Sequence, residues 1–282
     1  MSTKTSVTSR LEGEQMVVAY GEHTVLNGVD FQVPEGELTV ILGPNACGKS
    51  TTLKALARVN PLKEGEVRLD GTPLPQMKSR AIAKILAMLP QTPEAPSGVT
   101  VADVVARGRY PHQSLLRSWS EEDEQACVEA MKAANVLELA ERPIEALSGG
   151  QRQRVWIAMT LAQQTPLILL DEPTTYLDIT HQIEVLNLTK KLHAEGRTVA
   201  VVLHDLNLAF RYATHVVLMK QGRIIAQGDP RAIITPELIQ EVFDLQSIII
   251  PDPCTGTPLV IPKEHQDIHI AADAISAARE SE

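Results

Sequence analysis

The segment from Gly43 to Ser50 combines glycine, lysine and serine at a spacing that suits the binding of a phosphate group. Glycines let the backbone curl so that successive N–H groups point at an anion, and a helix starting near Lys49 adds its positive N-terminal end. Lys49 is expected to reach the outer phosphates of a nucleotide, and the Ser50 hydroxyl is expected to bind Mg²⁺. The sequence predicts a nucleotide-binding loop composed of Gly43, Pro44, Asn45, Ala46, Cys47, Gly48, Lys49, Ser50 and Thr51.

Two adjacent carboxylates, Asp171 and Glu172, follow the apolar run 167–170. This pattern is typical of a buried strand whose end meets the phosphate-binding loop. Asp171 would hold Mg²⁺, directly or through water, and Glu172 would orient or activate an attacking water molecule. The alternative is a solvated acidic turn before Pro173.

His204 follows another apolar run, 198–203, and therefore also stands at a strand end. Its imidazole would be able to contact the γ-phosphate of a nucleotide, although a single histidine after a strand is more often structural. His265 and His269 are spaced as i and i+4, but they lie in an acidic tail and do not indicate a metal site. Cys47 is interpreted as a small filler residue rather than as a thiol activated by the helix N-terminus.

Strands and helices that alternate along the chain position these residues. The apolar runs 167–170 and 198–203 flank a helical segment, 179–195, which gives a strand–helix–strand unit. A further strand, 38–42, leads into the phosphate-binding loop, and 49–58 follow with helical character. The fold class is therefore α/β, with parallel strands that are buried on both faces.

Other segments surround this core. Short β-type runs between residues 16 and 33 are punctuated by glycines and indicate an antiparallel β subdomain. Residues from about 92 to 160 have a helical pattern and predict a helical subdomain. We assign residues 1–12 to a flexible tail, 13–262 to one domain and 263–282 to an acidic tail.

The composition argues against several classes of protein. The chain has 282 residues, a net charge of −9 and 3% aromatic residues, which does not favour a nucleic-acid-binding protein. It has no apolar run of about 18 residues, and its N-terminus lacks the apolar core of a secretion signal, so we expect a cytoplasmic protein. Its 3 cysteines are too far apart to suggest a disulfide framework or a zinc site.

The run Leu147-Ser148-Gly149-Gly150-Gln151 is similar to the signature motif of ABC transporter ATPases. Together with the phosphate-binding loop, the pair Asp171-Glu172 and His204, in this order, it makes the chain resemble ABC nucleotide-binding subunits over residues 13–262. The resemblance implies a P-loop NTPase fold of ABC type, with a RecA-like core, an antiparallel β subdomain and a helical subdomain. It also implies an ATPase whose activity is coupled to transport.

The resemblance extends to single positions. Tyr20 resembles the aromatic residue that stacks on adenine, and Gln91 resembles the glutamine that senses Mg²⁺ and the attacking water. Leu177 and Asp178 resemble the segment that couples two subunits. Ala46 departs from the family pattern, because relatives often have glycine there.

The resemblance further implies a site that a second copy of the chain completes. Residues 148–151 of one subunit would cap the γ-phosphate held by the loop of the other, and because they open a helix they form a second anion-binding nest. The implied cofactors are ATP and Mg²⁺. The implied partners are a second copy, integral membrane permease subunits and, indirectly, an extracytoplasmic substrate-binding protein, without nucleic acid. The implied location is peripheral, on the cytoplasmic face of a bacterial membrane.

Three segments, 108–113, 176–182 and 251–258, resemble bacterial ferric-siderophore importers. Ordinary loop packing is the alternative explanation of these segments, and cobalamin and haem importers share the architecture. A soluble ABC ATPase acting on DNA or ribosomes is a second class, which the single cassette and the acidic balance disfavour. A non-catalytic cassette is a third, which the complete set of Lys49, Asp171, Glu172 and His204 disfavours.

Overall fold

The computed structural model describes residues 9–93, 95–113, 119–175 and 177–263. The strands are Ser9–Tyr20 (β1), His23–Pro34 (β2), Leu38–Leu42 (β3), Glu64–Leu69 (β4), Thr72–Pro73 (β5), Leu86–Leu89 (β6), Leu167–Asp171 (β7), Thr198–Val202 (β8), His215–Lys220 (β9), Arg223–Gly228 (β10), Ser247–Pro251 (β11) and Pro258–Pro262 (β12). The α-helices are Lys49–Leu56 (α1), Ser79–Ile82 (α2), Val101–Ala106 (α3), Glu121–Ala133 (α4), Gly149–Ala162 (α5), Ile179–Ala194 (α6), Leu206–Tyr212 (α7), Pro230–Ile233 (α8) and Pro236–Phe243 (α9). Short 3₁₀ turns occupy Leu74–Gln76, Arg107–Arg109, Leu137–Leu139 and Ile144–Ala146.

The central sheet has the strand order β10-β9-β3-β8-β7-β6. Strands β9, β3, β8, β7 and β6 are parallel to their neighbours, and β10 pairs antiparallel with β9. Every residue of β3, β7 and β8 is buried, which explains why these strands are continuously apolar rather than alternating. Because parallel strands end at the same edge, the residues that follow β3, β6, β7 and β8 are brought to one edge of the sheet.

A second sheet, of order β2-β1-β4-β5, is antiparallel and packs on the core through α1. Its first strand begins at Ser9, so residues 9–12 belong to the sheet rather than to the tail expected from the sequence. The reason is long-range pairing: Leu11 is fully buried and lies opposite Val33 on one side and Leu69 on the other. The short polar stretch around Leu11 does not reveal these partners.

The helical subdomain predicted from the sequence contains α3, α4 and most of α5. These helices pack on one another through a shared apolar cluster that includes Val104, Cys127, Met131 and Val155. Both α3 and α4 begin with a reciprocal side-chain cap, and the cap of α4 joins Ser120 and Asp123. No helix in the described ranges is long and apolar enough to span a membrane.

Strands β6 and β12 are among those that were not anticipated from the sequence. Strand β6 is built from Leu-Ala-Met-Leu, residue types that favour helix in isolation, and its place beside β7 at the sheet edge decides its conformation. Strand β12 begins and ends with proline and pairs with β11 as a two-stranded hairpin. Proline is compatible with such a strand because it stands at the ends and on an edge.

Candidate active site

The phosphate-binding loop connects β3 to α1 and depends on two glycines for its path. A Cβ atom on Gly43 would lie 2.2 Å from the carbonyl oxygen of Met219, and one on Gly48 would lie 2.8 Å from Leu26 Cδ2. Gly48 also has φ 103° and is the N-cap of α1, so the first N–H groups of the helix are left for a ligand. Ala46 adopts φ 60°, a left-handed conformation that costs an alanine roughly 1 kcal/mol.

Lys49 lies across the mouth of this loop. Its ammonium donates hydrogen bonds to the carbonyl oxygens of Gly43 at 2.8 Å and Pro44 at 2.9 Å. The residue is 5% exposed, yet these neighbours are neutral carbonyls and not carboxylates. Because no carboxylate among the described residues pairs with it, this side chain is positioned to bind an anion in the loop.

Ser50 and Asp171 meet at the next position, as the sequence predicted from separate motifs. The Ser50 hydroxyl donates to Asp171 Oδ1 at 2.7 Å, and Lys54 Nζ lies 3.9 Å from Oδ2. Asp171 is fully buried, and its Oδ2 makes no hydrogen bond within the described part of the chain. Burial raises the pKa of this carboxyl, and the Ser50 hydrogen bond and Lys54 offset part of that effect. A hydroxyl and a buried carboxylate with a free oxygen form a donor set that Mg²⁺ prefers.

Glu172 is the centre of a hydrogen-bonded cluster formed by residues after three parallel strands. Gln91, after β6, donates from Nε2 to Glu172 Oε2 at 2.8 Å, and His204, after β8, places Nε2 at 2.8 Å from Glu172 Oε1. Thr175 also donates to Oε2, at 3.2 Å. Glu172 is 8% exposed and has φ 53°, a conformation that a non-glycine residue adopts only when its surroundings impose it.

A cleft of about 280 Å³ opens beside Lys49 and Ser50 and is lined by Glu172 and His204 on its far side. It continues into a wider opening of about 930 Å³ that includes Gln91. The edge of β2 contributes His23 and Val25 to the smaller cleft, which the sequence analysis did not foresee. The two clefts together place the loop, the Glu172 carboxylate and the His204 imidazole around one space that suits a nucleoside triphosphate, and Asp171 lies buried behind Ser50.

Tyr20 lies at the end of β1 and is 54% exposed. Its hydroxyl accepts a hydrogen bond from Asn60 Nδ2 at 2.6 Å, which fixes the ring at the surface. The ring is therefore available for stacking, and its contact with adenine stays a prediction.

Residues 148–151 open α5 and form a reciprocal cap. The Ser148 hydroxyl accepts from the Gln151 N–H at 3.2 Å, and the Ser148 N–H donates to Gln151 Oε1 at 3.0 Å. Ser148 and Gly149 are exposed, and none of the residues lining the two clefts around Lys49 comes from this segment. Within one chain, the signature segment and the phosphate-binding loop are thus separate.

Leu177 and Asp178 connect the Glu172 turn to α6. Leu177 is buried, and its carbonyl accepts from Gln182 Nε2 at 2.9 Å. Asp178 caps α6 by accepting from the His181 N–H at 2.9 Å. Tyr176, between them and the turn, lies outside the described residues, as do His265 and His269.

Cys47 has the environment of a filler residue. The side chain is 4% exposed, and burial raises the pKa of its thiol despite the neighbouring Lys49. A protonated, inaccessible thiol is unreactive, so the interpretation preferred from the sequence fits this geometry.

Several segments that resemble siderophore importers make structural contacts. Arg109 is buried and donates to Asp123 at 2.9 Å and to the Ala162 carbonyl at 2.7 Å, so it joins α4 to the end of α5. Asp252 pairs with Arg211 at 2.9 Å and accepts from the Cys254 N–H at 2.7 Å, which closes the β11–β12 turn. These segments stabilise the fold, and the contacts themselves do not identify a cargo.

Lys54 and Thr175 are site residues that the sequence analysis missed. Lys54 stands four positions after Ser50 on α1, so helical spacing would have placed both on one face. Thr175 lies three positions after Glu172 in an irregular turn, for which the sequence offers no comparable periodic signal.

This geometry is that of an α/β protein with a phosphate-binding loop, an acid and an imidazole at the carboxyl edge of a parallel sheet, an arrangement that suits a nucleoside triphosphate. The family model described as ABC transporter matches residues 26–175. The chain belongs to the ABC transporter family and is its ATP-binding ATPase cassette.

Similar proteins cover nearly the whole chain. The ferric enterobactin transport ATP-binding protein of Escherichia coli (strain K12) is 49% identical over 92% of this chain and 96% of its own length. The achromobactin transport ATP-binding protein of Dickeya dadantii (strain 3937) is 50% identical over 92% of this chain and 95% of its own. A hemin import ATP-binding protein of Streptomyces coelicolor is 44% identical over 87% of each chain.

Solved structures agree with the architecture. A structure described as an inward-facing ABC transporter of metal-chelate type has a TM-score of 0.76 and 27% identity, and the match covers 91% of this chain and 98% of that one. A dimeric bacterial ABC transporter cassette has a TM-score of 0.71 and 29% identity, over 79% of this chain and 100% of that one. The predicted fold class, a P-loop NTPase of ABC type, is confirmed.

Proposed function

We propose that this cassette hydrolyses ATP·Mg²⁺ to drive uptake of a ferric siderophore through a separate membrane permease. The observation that carries the hydrolytic part is the position of Glu172, whose carboxylate is held by Gln91 and His204 at the mouth of the cleft beside Lys49. A carboxylate held in this way can accept a proton from an attacking water.

Each residue around the cleft takes one task in this proposal. The loop N–H groups and Lys49 bind the phosphates, Ser50 and Asp171 hold Mg²⁺, and Glu172 orients the attacking water. Bound Mg²⁺ supplies positive charge that neutralises the phosphate oxygens. His204 keeps the Glu172 side chain in place and faces the γ-phosphate, and Gln91 contacts the same carboxylate from β6.

A second copy of the chain completes the site in this proposal. The support is that Ser148 and Gly149 are exposed at the start of a helix and that residues 148–151 do not line the cleft of their own chain. Such a segment is a ready anion-binding nest for the γ-phosphate held by another subunit. A similar cassette has been solved as a dimer, and an isologous pair creates two equivalent sites.

A groove between the core and the helical subdomain is the proposed docking site of the permease. It has a volume of about 570 Å³ and is lined by Gln91, Ile144, Gln153 and Trp156, among others. Gln91 belongs to both this groove and the Glu172 cluster, so a permease element seated there would touch the catalytic centre through one side chain. The cassette would then be peripheral, on the cytoplasmic face of a bacterial membrane, with an extracytoplasmic binding protein acting indirectly.

The cargo assignment rests on the relatives. Two that are 49% and 50% identical are named for transport of enterobactin and achromobactin, and the hemin import protein is more distant at 44%. A ferric siderophore is therefore the proposed cargo, with haem or cobalamin as the alternative. The cassette itself need not touch the cargo, so its own cleft does not distinguish them.

The test combines hydrolysis with transport. We expect Glu172→Gln to bind ATP normally and to hydrolyse it roughly 10²-fold to 10⁴-fold more slowly, because it loses the general base. Glu138→Gln is the matched control, since Glu138 is exposed on the helical subdomain and away from the cleft.

In cells, deletion of the gene should abolish uptake of labelled ferric siderophore, and the wild type and Glu138→Gln should restore it while Glu172→Gln does not. Normal hydrolysis by Glu172→Gln would contradict the catalytic assignment. Intact siderophore uptake after deletion, with lost uptake of haem or cobalamin, would move the cargo to the alternative.

A further inference from the structure

Gln153 makes a contact between the helical subdomain and the turn that contains Glu172. It lies near the start of α5, is 8% exposed, and donates from Nε2 to the carbonyl oxygen of Pro173 at 3.2 Å. Pro173 directly follows Glu172, so this hydrogen bond acts on the backbone of the residue next to the general base.

The backbone at this turn needs such support. Glu172 has φ 53°, and a non-glycine residue keeps this left-handed conformation only when neighbouring groups hold it. The Glu172 carboxylate is held by Gln91, His204 and Thr175, but those bonds act at the far end of the side chain. Gln153 acts instead on the main chain from which that side chain starts.

A second contact joins α5 to the same segment of chain. A Cβ atom added to Gly150 would stand 3.2 Å from Leu177 Cδ2, so the start of α5 lies against the residue that ends this loop. The first residues of α5 therefore contact segment 173–177 near both ends of that segment, at Pro173 and at Leu177. Gln153 also lines the groove that contains Gln91, so one buried amide lies between the groove and the turn.

We propose that Gln153 is a positioning residue for hydrolysis. Its amide fixes the main chain at Pro173 and thereby keeps the Glu172 carboxylate at its position beside the cleft. This inference rests on the proposed function of Glu172 as general base. A buried glutamine that only fills space would behave differently, because a side chain of equal length without a donor would replace it without loss.

Gln153→Met tests this difference, since methionine keeps the length and removes the donor. We expect kcat for ATP per folded molecule to fall about fivefold to tenfold, the loss of one neutral hydrogen bond, while KM for ATP stays unchanged. The thermal unfolding midpoint should fall by only a few degrees, because the buried Pro173 carbonyl loses its donor. Gln125→Met is the matched control: Gln125 is exposed on α4 and bonds only Glu129 among the described residues, and it should keep the wild-type kcat.

The same substitution in the Glu172→Gln background provides the second readout. If Gln153 acts through Glu172, Gln153→Met should cause no further loss there, because the two changes remove one function. A wild-type kcat in the single variant, a matching rise in KM, or an equal fold-loss in the Glu172→Gln background would each overturn the inference.

The two proposals fail separately. A slow Glu172→Gln variant beside a fully active Gln153→Met variant contradicts only the role of Gln153. A Glu172→Gln variant as active as the wild type contradicts the proposed function and this inference with it.

Discussion

Two buried carboxylates of this chain, Asp171 at the end of β7 and Asp123 in the helical subdomain, differ in how completely they are hydrogen-bonded. Asp123 is 1% exposed and accepts from Arg109 Nε at 2.9 Å and from the Ser120 hydroxyl at 3.0 Å. Burial raises the pKa of Asp123, but these hydrogen bonds outweigh it and the net pKa is lowered. Asp171 is equally buried, but within the described residues its Oδ2 has only Lys54 Nζ at 3.9 Å and makes no hydrogen bond, although Ser50 donates to Oδ1. Burial is the main cause of its raised pKa.

The difference separates a carboxylate whose partners stabilise the fold from one that, in the proposed function, would hold Mg²⁺. A buried charge is tolerated when its partners are complete, as they are around Asp123. A buried carboxylate oxygen without a hydrogen bond costs stability, and a bound cation would complete its coordination. The comparison therefore predicts that Asp123 in the helical subdomain contributes to stability, whereas Asp171 at the carboxyl edge of the sheet contributes to ATP hydrolysis.

The largest effect should come from Asp171→Asn. We expect ATP hydrolysis to fall at least about 100-fold, because the loss of Mg²⁺ coordination removes several kcal/mol of transition-state stabilisation. Urea unfolding without nucleotide should show no loss of stability, since a neutral amide is cheaper to bury than a carboxylate with a free oxygen. An Asp171→Asn protein that is strongly destabilised but active would contradict the assignment of Asp171 to hydrolysis rather than to stability.

Asp123→Asn should give the reverse pattern. It removes the charge that compensates Arg109, which is 4% exposed, so we expect a loss of about 3 kcal/mol in the free energy of unfolding. Hydrolysis per folded molecule should be unchanged. The double variant Arg109→Met/Asp123→Leu removes both charges and should recover much of the stability, and urea unfolding of all three proteins measures this.

The pH dependence of stability should also have opposite signs at the two sites. The lowered pKa of Asp123 means that its contribution is present above its ordinary pKa of about 4 and is lost as pH falls through the folded value. The stability gap between wild type and Asp123→Asn should therefore close on acidification. The raised pKa of Asp171 means that the folded state holds its proton longer, so stability falls as pH rises through that value.

Relative to the wild type, Asp171→Asn should consequently gain stability as pH rises from about 4 toward neutrality. Thermal unfolding at a series of pH values, without nucleotide or Mg²⁺, measures both trends. Parallel pH curves for the two variants would contradict the opposite pKa shifts of the two carboxyls.

The smallest effect is expected in the phosphate-binding loop itself. Ala46 has φ 60°, so Ala46→Gly should relieve backbone strain and raise stability by about 0.5–1 kcal/mol. The matched control is Ala133→Gly at the exposed end of α4, where glycine should lower stability by up to about 1 kcal/mol. Urea unfolding that gives the same sign for both variants would show that Ala46 is not strained.

The sequence by itself determined the element types around the site and the residues at their ends. The strands before Gly43, Asp171 and His204 were predicted within about one residue, because buried parallel strands are continuously apolar and glycine-rich or charged residues terminate them. The pairing of Ser50 with Asp171 follows from the same rule, since parallel strands that end at one edge bring their terminal residues together.

Only the tertiary structure decided which of these residues touch. Because strand β6 lies beside β7, Gln91 is hydrogen-bonded to Glu172, and no local sequence pattern indicates that strand. The contact of Gln153 with Pro173 and the burial of Arg109 with Asp123 likewise join segments that are distant along the chain. Local propensity and periodicity describe a residue's own element, whereas strand order, side-chain pairing and the free oxygen of Asp171 depend on how those elements pack.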